Sequence, residues 1–351
     1  MEGVTNNRNY SLDIARILAV LGVVMVHCSA PFLTDYKLFS NEYFFGSLFD
    51  GISRFCVPLF LMISGSLFLD ERKEITIKGI LLKNVKSIVA ITIIWAIIYS
   101  VIYNGVFPLL EGKSVNVKSI IFEIINGHYH MWYLYMISGL YIITPFLKKF
   151  VNKEDKGLVL FFIIISFCFQ FTRPVIDAMC EAGLNLSIIN TWLDKFSLDF
   201  FGGYISYFLV GWYIVHIGIR QKWHRIIIYL LSIISVMITI LYVCYIGNYN
   251  DVYQYIGAPV FIYSVGVFLA LNSIKFKFKE KKAKNVVKLS KLTFGVYLIH
   301  VLVIRVITTL FPYTKHSFLY IVVSFGAVVI ISFLISFFLS KIPLLKNLIK
   351  A

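Results

Sequence analysis

Apolar runs of about twenty residues, broken by short polar stretches, recur from one end of the chain to the other. About 20 helical residues, rising about 1.5 Å each, cover the roughly 30 Å of a bilayer's hydrocarbon core. On this spacing ten spans are predicted, near 11–33, 45–69, 86–107, 129–147, 157–175, 197–219, 225–246, 252–274, 289–311 and 317–340. The pattern predicts an all-α, polytopic transmembrane helical bundle of about ten helices. The first apolar run is long enough to span and lacks a secretory cleavage pattern, so it reads as a retained helix. No separate soluble domain interrupts the series, and residues 1–351 are expected to form a single transmembrane domain. No internal repeat stands out, nor do matching broken helices in two halves, which would point to a secondary transporter. The longest outer polar stretches are 107–128 and 176–196. The first holds an amphipathic run, Val117–Ile125, suited to the membrane interface. The second carries Glu181, Asn185, Asn190 and Asp194, and is placed to cover an outward-facing site.

Composition agrees: the 351 residues are 59% hydrophobic and 15% charged, with mean hydropathy +0.82, whereas a soluble domain carries about 25% charged residues. A net charge of +15 suggests nucleic acid or an anionic surface, and its distribution decides between them. With the N-terminus inside, 24 Lys and Arg fall in cytoplasmic segments, Lys350 among them, and 6 in outer segments, Lys315 among them. That asymmetry puts both termini in the cytoplasm. Most of the basic excess is thus a topology signal, and no nucleic-acid partner is expected. Eight lysines crowd Lys275–Lys291. They read most simply as a solvated loop drawn to anionic headgroups, and second as a site for a phosphorylated cytoplasmic ligand. The five cysteines show no paired spacing and no CxxC, which disfavours a disulfide framework or zinc site.

Inside the spans a few residues are out of place. The first run carries Asp13, Arg16 and His27. An Arg at a helix centre costs about 2.5–3.5 kcal/mol on insertion scales. Eleven residues at about 100° each return His27 to within roughly 20° of Arg16, about 16 Å further along the axis. One stripe therefore carries a cation low in the membrane and a titratable imidazole higher up. Structurally, Arg16 would snorkel and pair with Asp13, and His27 would be satisfied between helices. Functionally, His27 would move a proton and Arg16 would hold an anionic or polar group. Cys28 lies about 100° round from His27, which argues against a Cys–His nucleophile. Arg54 begins the run holding Pro58, Ser64 and Gly65, either as an interfacial anchor or facing a substrate. His128, His130, Trp132 and Tyr133 open the fourth span at about the depth of His27; an aromatic belt accounts for the aromatics and leaves the histidines over. A metal site from His27, His128 and His130 lacks any HExxH or carboxylate-bridged pattern, so no metal is expected. Thr293, Tyr297 and His300 share a face of the ninth span, from which Arg305 points about 140° away.

Four of these motifs in order resemble the acyltransferase-3 family of bacterial inner-membrane acyltransferases. They are Leu12-Asp13 with Arg16 and His27; Val57-Pro58 through Ser64-Gly65; His130-Met131-Trp132-Tyr133 through Pro145; and Phe294-Gly295-Val296-Tyr297-Leu298-Ile299-His300. The third is similar to the branch containing the enterobacterial common antigen O-acetyltransferase. One departure stands out: where many members carry Arg-x-x-Arg, this chain has Lys83-Asn84-Val85-Lys86, keeping charge but losing the bidentate fork.

The resemblance implies a multi-pass protein of the bacterial cytoplasmic membrane. It implies acetyl-CoA as cytoplasmic acyl donor, and an envelope glycan or small molecule accepting the acetyl group on a hydroxyl or amine at the outer face. On that reading Lys83 and Lys86 would meet the CoA phosphates, and Arg16, coupled to Asp13, would orient the donor. His27 would be general base or transient acyl carrier, and Arg54, His130, Trp132, Tyr133, Tyr297 and His300 would surround the substrates. Two other readings stay open: a transporter of a small solute, and the membrane part of a larger protein like the membrane-bound serine racemases.

Overall fold

The computed structural model describes residues 8–196, 203–312, 317–343 and 345–349. Lys315, Lys350 and the opening of the span expected at 197–219 lie outside the described residues. The described residues are helical nearly throughout. The principal helices are α1 (Tyr10–Ser29), α2 (Asn41–Ser53), α3 (Cys56–Phe68), α4 (Lys86–Val101), α5 (Trp132–Phe150) and α6 (Lys156–Ser166). They continue with α7 (Tyr204–Trp212), α8 (Lys222–Ile246), α9 (Ala258–Ser273), α10 (Glu280–Leu310) and α11 (Ser317–Lys341). Seven helical stretches are long and apolar enough to cross a membrane: Tyr10–Thr34, Asn41–Phe68, Ile77–Leu110, Lys156–Glu181, Lys222–Ile246, Glu280–Leu310 and Phe318–Lys341. The other three expected spans fall on α5 and on the shorter apolar helices Tyr204–Ile217 and Ala258–Ser273. The chain is a multi-pass, all-helical membrane protein.

Two expectations need correction. The span at 45–69 is two helices, α2 and α3, interrupted at Arg54 and Phe55. Pro58 is the cause: its ring meets the carbonyl four residues back, that of Arg54, and it has no N–H to donate there. The helix resumes with Leu59 N–H donating to Phe55 O at 2.9 Å. The lysine-rich run is not a loop throughout, because from Glu280 onward it forms the first turns of α10. Lys, Glu and Ala favour helix as well as apolar residues do, and Lys284 pairs with Glu280 one turn back at 2.6 Å. Hydropathy reports only the apolar part of such a helix. The polar stretches near 107–128 and 176–196 hold helices too: Val117–Asn126, Arg173–Glu181 and Ser187–Phe196.

α1 is the hub. Asn9 caps it by accepting from Ser11 N–H at 3.0 Å, and it packs against α2, α3, α9, α10 and α11. Small residues permit the crowding: Ala15 and Ala19 are fully buried, and a Cβ on Gly22 would lie 2.8 Å from Cys56 Cβ. α3 and α7 come closer still. A side chain on Gly65 would strike the Phe208 carbonyl, and one on Gly211 the Met62 carbonyl.

The turn after α3 is fixed by Asp70, whose carboxylate accepts from Arg72 Nε at 3.0 Å, from its NH2 at 2.8 Å and from its backbone N–H at 3.1 Å. The Arg72 side chain holds the Asp70 carboxyl down at about 2. Because the folded-state value is lowered, the stabilisation is complete above the ordinary carboxyl range near 4 and fades as pH falls through about 2. Arg72 is solvent-exposed, so Asp70→Asn is expected to cost less than about 1 kcal/mol at pH 7. Thermal melts of the purified protein should give that difference at neutral pH and lose it toward pH 2.

Candidate active site

Near the N-terminal end of α1, Asp13 is buried and takes a two-pronged bond from Arg8, at 2.7 Å from Nε and 2.9 Å from Nη2. Arg16 NH1 stands 3.6 Å off. Asp13's first partner is thus Arg8 rather than the expected Arg16. That leaves the Arg16 guanidinium with donors to spare, and its side chain, 31% accessible, faces a cavity of about 560 Å³ between α1, α3, α4, α5 and α10. Asn84, Ser290 and Lys291 line the inner part, and Ser64, Tyr133, Tyr141, Thr293 and Tyr297 line its walls. Val23 also lines it, one turn below His27 on the same face of α1.

Tyr297 forms the partition. Its ring faces the cavity, and its hydroxyl donates to the His130 carbonyl at 2.8 Å. Beyond it lie four imidazoles. His27 is 5.1 Å from His300 and 6.5 Å from His130 between ring centroids, and His130 is 5.5 Å from His300. His128 joins His130 by an Nδ1–Nδ1 hydrogen bond of 2.9 Å and stacks on Tyr99 at 4.5 Å. The Nδ1–H of His300 donates to the Tyr297 carbonyl at 2.7 Å, which fixes its tautomer and leaves Nε2 as the bare nitrogen. The Nε2 atoms of His300 and His130 are buried with no hydrogen-bond partner among the described residues. A buried nitrogen left this way costs roughly 1–3 kcal/mol, which makes these two edges candidates to receive a polar group from outside the protein. A narrow gap lined by His27, Cys28, Thr308 and Tyr320 adjoins the cluster.

The structure therefore brings together His27, His130, His300, Tyr297 and Tyr133, with Arg16 in the cavity that rises toward them. Arg54 and Trp132 lie in an adjoining group. Arg54 pairs with fully buried Asp50, and its guanidinium carbon lies 5.1 Å from the Tyr253 ring and 5.6 Å from the Tyr255 ring. Trp132 stacks on the other side of this group, 5.7 Å from Tyr255. Lys83 and Lys86 are exposed and take no part in the cavity lining. In their place stand Asn84, from the same four-residue motif, and Lys291, from the lysine run. Lys291 had a legible signal: it precedes Thr293 by two positions, between the lysine run and the polar stripe of α10. Among the described residues no group of three or more His, Cys, Asp or Glu is disposed to hold a metal ion.

Comparison with curated proteins and with solved structures returned no match. The family described as an acyltransferase domain, Acyl_transf_3, matches residues 9–337. That match runs from the cap of α1 into the last turns of α11 and takes in the hub, all of the cavity lining but Ile349, and all four imidazoles, so the chain belongs to the acyltransferase-3 family of membrane acyltransferases.

Proposed function

We propose that the protein moves an acetyl group from cytoplasmic acetyl-CoA to a hydroxyl or amine of an envelope glycan or small molecule at the outer face of a bacterial cytoplasmic membrane. The observation that carries this reading is the 560 Å³ cavity, which ends one turn below His27. Its size suits a cofactor arm, since small-molecule sites run about 300–1,000 Å³, and its contents grade from polar to apolar. Lys291 and Asn84 would meet the nucleotide phosphates, lysine serving as a point charge. Arg16 would donate to the amide carbonyls of the pantetheine arm. Aromatic rings would hold the thioester end, with Tyr133 and Tyr297 nearest the imidazoles. His27 then takes the acceptor's proton as the new C–O or C–N bond forms and the C–S bond breaks, or it carries the acetyl group in between. The His300 and His130 edges, without hydrogen-bond partners among the described residues, would receive the acceptor's polar groups.

Arg16→Ala tests the donor half. A charged hydrogen bond is worth about 1.5–3 kcal/mol, so KM for acetyl-CoA is expected to rise about 10- to 100-fold. Arg16→Lys should recover part of the loss, because the charge returns without the planar fork. Release of CoA by purified protein in nanodiscs, followed with a thiol reagent, reads both. An unchanged KM in Arg16→Ala would remove the donor from this cavity.

A further inference from the structure

Four groups run in file from the centre of the bundle to the outer surface. His27 lies edge-on to His130, 6.5 Å away between ring centroids. His130 is joined to His128 through their Nδ1 atoms at 2.9 Å. His128 Nε2 stands 3.9 Å from Glu123 Oε1, a gap that one water or a slight side-chain turn closes. Glu123 accepts from Asn104 through its other oxygen and lines an outer cavity of about 520 Å³. His128 and His130 are 5% and 2% exposed, so the file stays dry until Glu123.

We propose that Glu123, His128 and His130 form a proton exit from the transfer chamber to the outer face. This rests on the acyl-transfer reading above and settles a question that reading leaves open, namely where the acceptor's proton goes. One set of tautomers serves. His130 Nδ1–H donates to His128 Nδ1, His128 Nε2–H points to the Glu123 carboxylate, and the bare His130 Nε2 faces the chamber. When the acceptor hydroxyl attacks the acetyl carbon, the C–O bond forms and the C–S bond breaks. The thiolate leaves on the cytoplasmic side and takes a proton from water there. The hydroxyl proton passes to His27 and then to His130 Nε2. His130 gives its Nδ1 proton to His128, and His128 gives its Nε2 proton to Glu123 and so to the outer solution. Each transfer consumes one proton inside and releases one outside. The competing path returns the proton from His27 to the thiolate, with no net movement.

Other titratable groups face the file. Tyr99 from α4 and Tyr103 from the turn that follows it lie against His128, at 4.5 and 4.6 Å. Tyr129 lies 5.5 Å from His27, and His300 and Tyr297 face it from α10. Arg54 lies within electrostatic reach of His27. Lys118 shares the outer cavity with Glu123, and Arg305 is tied to Glu111 at 2.9 Å. Among the described residues Glu123 is the carboxylate paired with His128, which gives the file its outward direction.

The test uses right-side-out membrane vesicles, loaded with radiolabelled acetyl-CoA at fixed inner pH and carrying the native acceptor; vesicles with His27→Ala set the background. Label incorporation above that background should fall about tenfold as outer pH is lowered from about 8 to about 5, with one outer proton appearing per acetyl group at pH 8. Glu123→Gln keeps the size and the bond to Asn104 but cannot take a proton. It should lose the outer-pH response and the proton signal, with incorporation at least about tenfold below the parent. Glu123→Asp should restore the pH response, and Lys118→Gln should behave as the parent. Incorporation that ignores outer pH in the parent, or Glu123→Gln matching the parent, overturns the exit while leaving acyl transfer standing. No incorporation above background in the parent overturns the transfer reading itself.

Discussion

His27→Ala is expected to fold, insert and bind acetyl-CoA, yet to transfer acetyl groups about 10²- to 10⁴-fold more slowly than the parent. The range is that of losing a positioned general base. The residue is well suited to the experiment because its backbone asks nothing special of it. It sits in the last turn of α1, inside a regular helix, and alanine has the highest helix propensity. Its ring contacts are to Tyr129, His130 and His300, and its loss leaves a polar gap that water can fill. Size exclusion and thermal melting should therefore resemble the parent while CoA release collapses. Mass spectrometry after rapid acid quenching separates the two roles: an acetyl adduct on the peptide containing His27 identifies a carrier, and single-turnover transfer without adduct identifies a base. If His27→Ala releases CoA at the parental rate, His27 is neither.

The second large effect belongs to the α3–α7 crossing. Gly65→Val and Gly211→Val are each expected to prevent recovery of folded protein. Gly65→Ala and Gly211→Ala should each cost more than about 3 kcal/mol, above the usual 1–3 kcal/mol of overpacking. In ordinary overpacking a side chain turns aside. At this crossing the atoms in the way are the carbonyls of Phe208 and Met62, part of the backbone ladders of the two helices, so the axes themselves must separate. Gly139, on α5, is the control: nothing lies within 4 Å of a Cβ built there. Gly139→Ala should be neutral or stabilising by up to about 1 kcal/mol from helix propensity alone. Thermal melts in one detergent compare all three alanine variants. Parental melting of Gly65→Ala would mean that the helices do not approach this closely. Since α3 supplies Ser64 and Phe60 to the large cavity, separating the axes would also distort the donor site.

The helices were legible because lipid allows few other solutions: about twenty apolar residues in a row must close their own backbone hydrogen bonds. The polar face of α1 was legible for the same reason, as an expensive arginine and histidine repeat on one stripe. What lay outside the reach of periodicity was the pairing of faces. Nothing in the spacing of Asp13 indicates that Arg8 would hold it more closely than Arg16 does, because Arg8 lies before the helix, where periodicity has no hold. Proline gives a break but not its size, so the interruption at Arg54 and Phe55 read as one continuous span. Lys83 and Lys86 matched the motif by charge, but facing direction is set by how the π-wound turn Ile80–Val85 enters α4, and there it turns Asn84 inward. His128 and Glu123 are consecutive in space but belong to different elements, which only the fold joins.

The hub position of α1 has a consequence for synthesis. The helix with the most demanding polar stripe is made before its partners: the residues that face it from α10 emerge about 270 residues later. At roughly 5–20 residues per second, the nascent chain holds Arg16 and His27 without Tyr297 and His300 for about 15–55 seconds. The translocation machinery must shelter α1 for that interval, and a chain cut short before α10 keeps most of its spans but exposes a stripe no lipid can satisfy. Such fragments should be cleared by membrane proteases, so the segment that encodes α10 governs whether α1 survives.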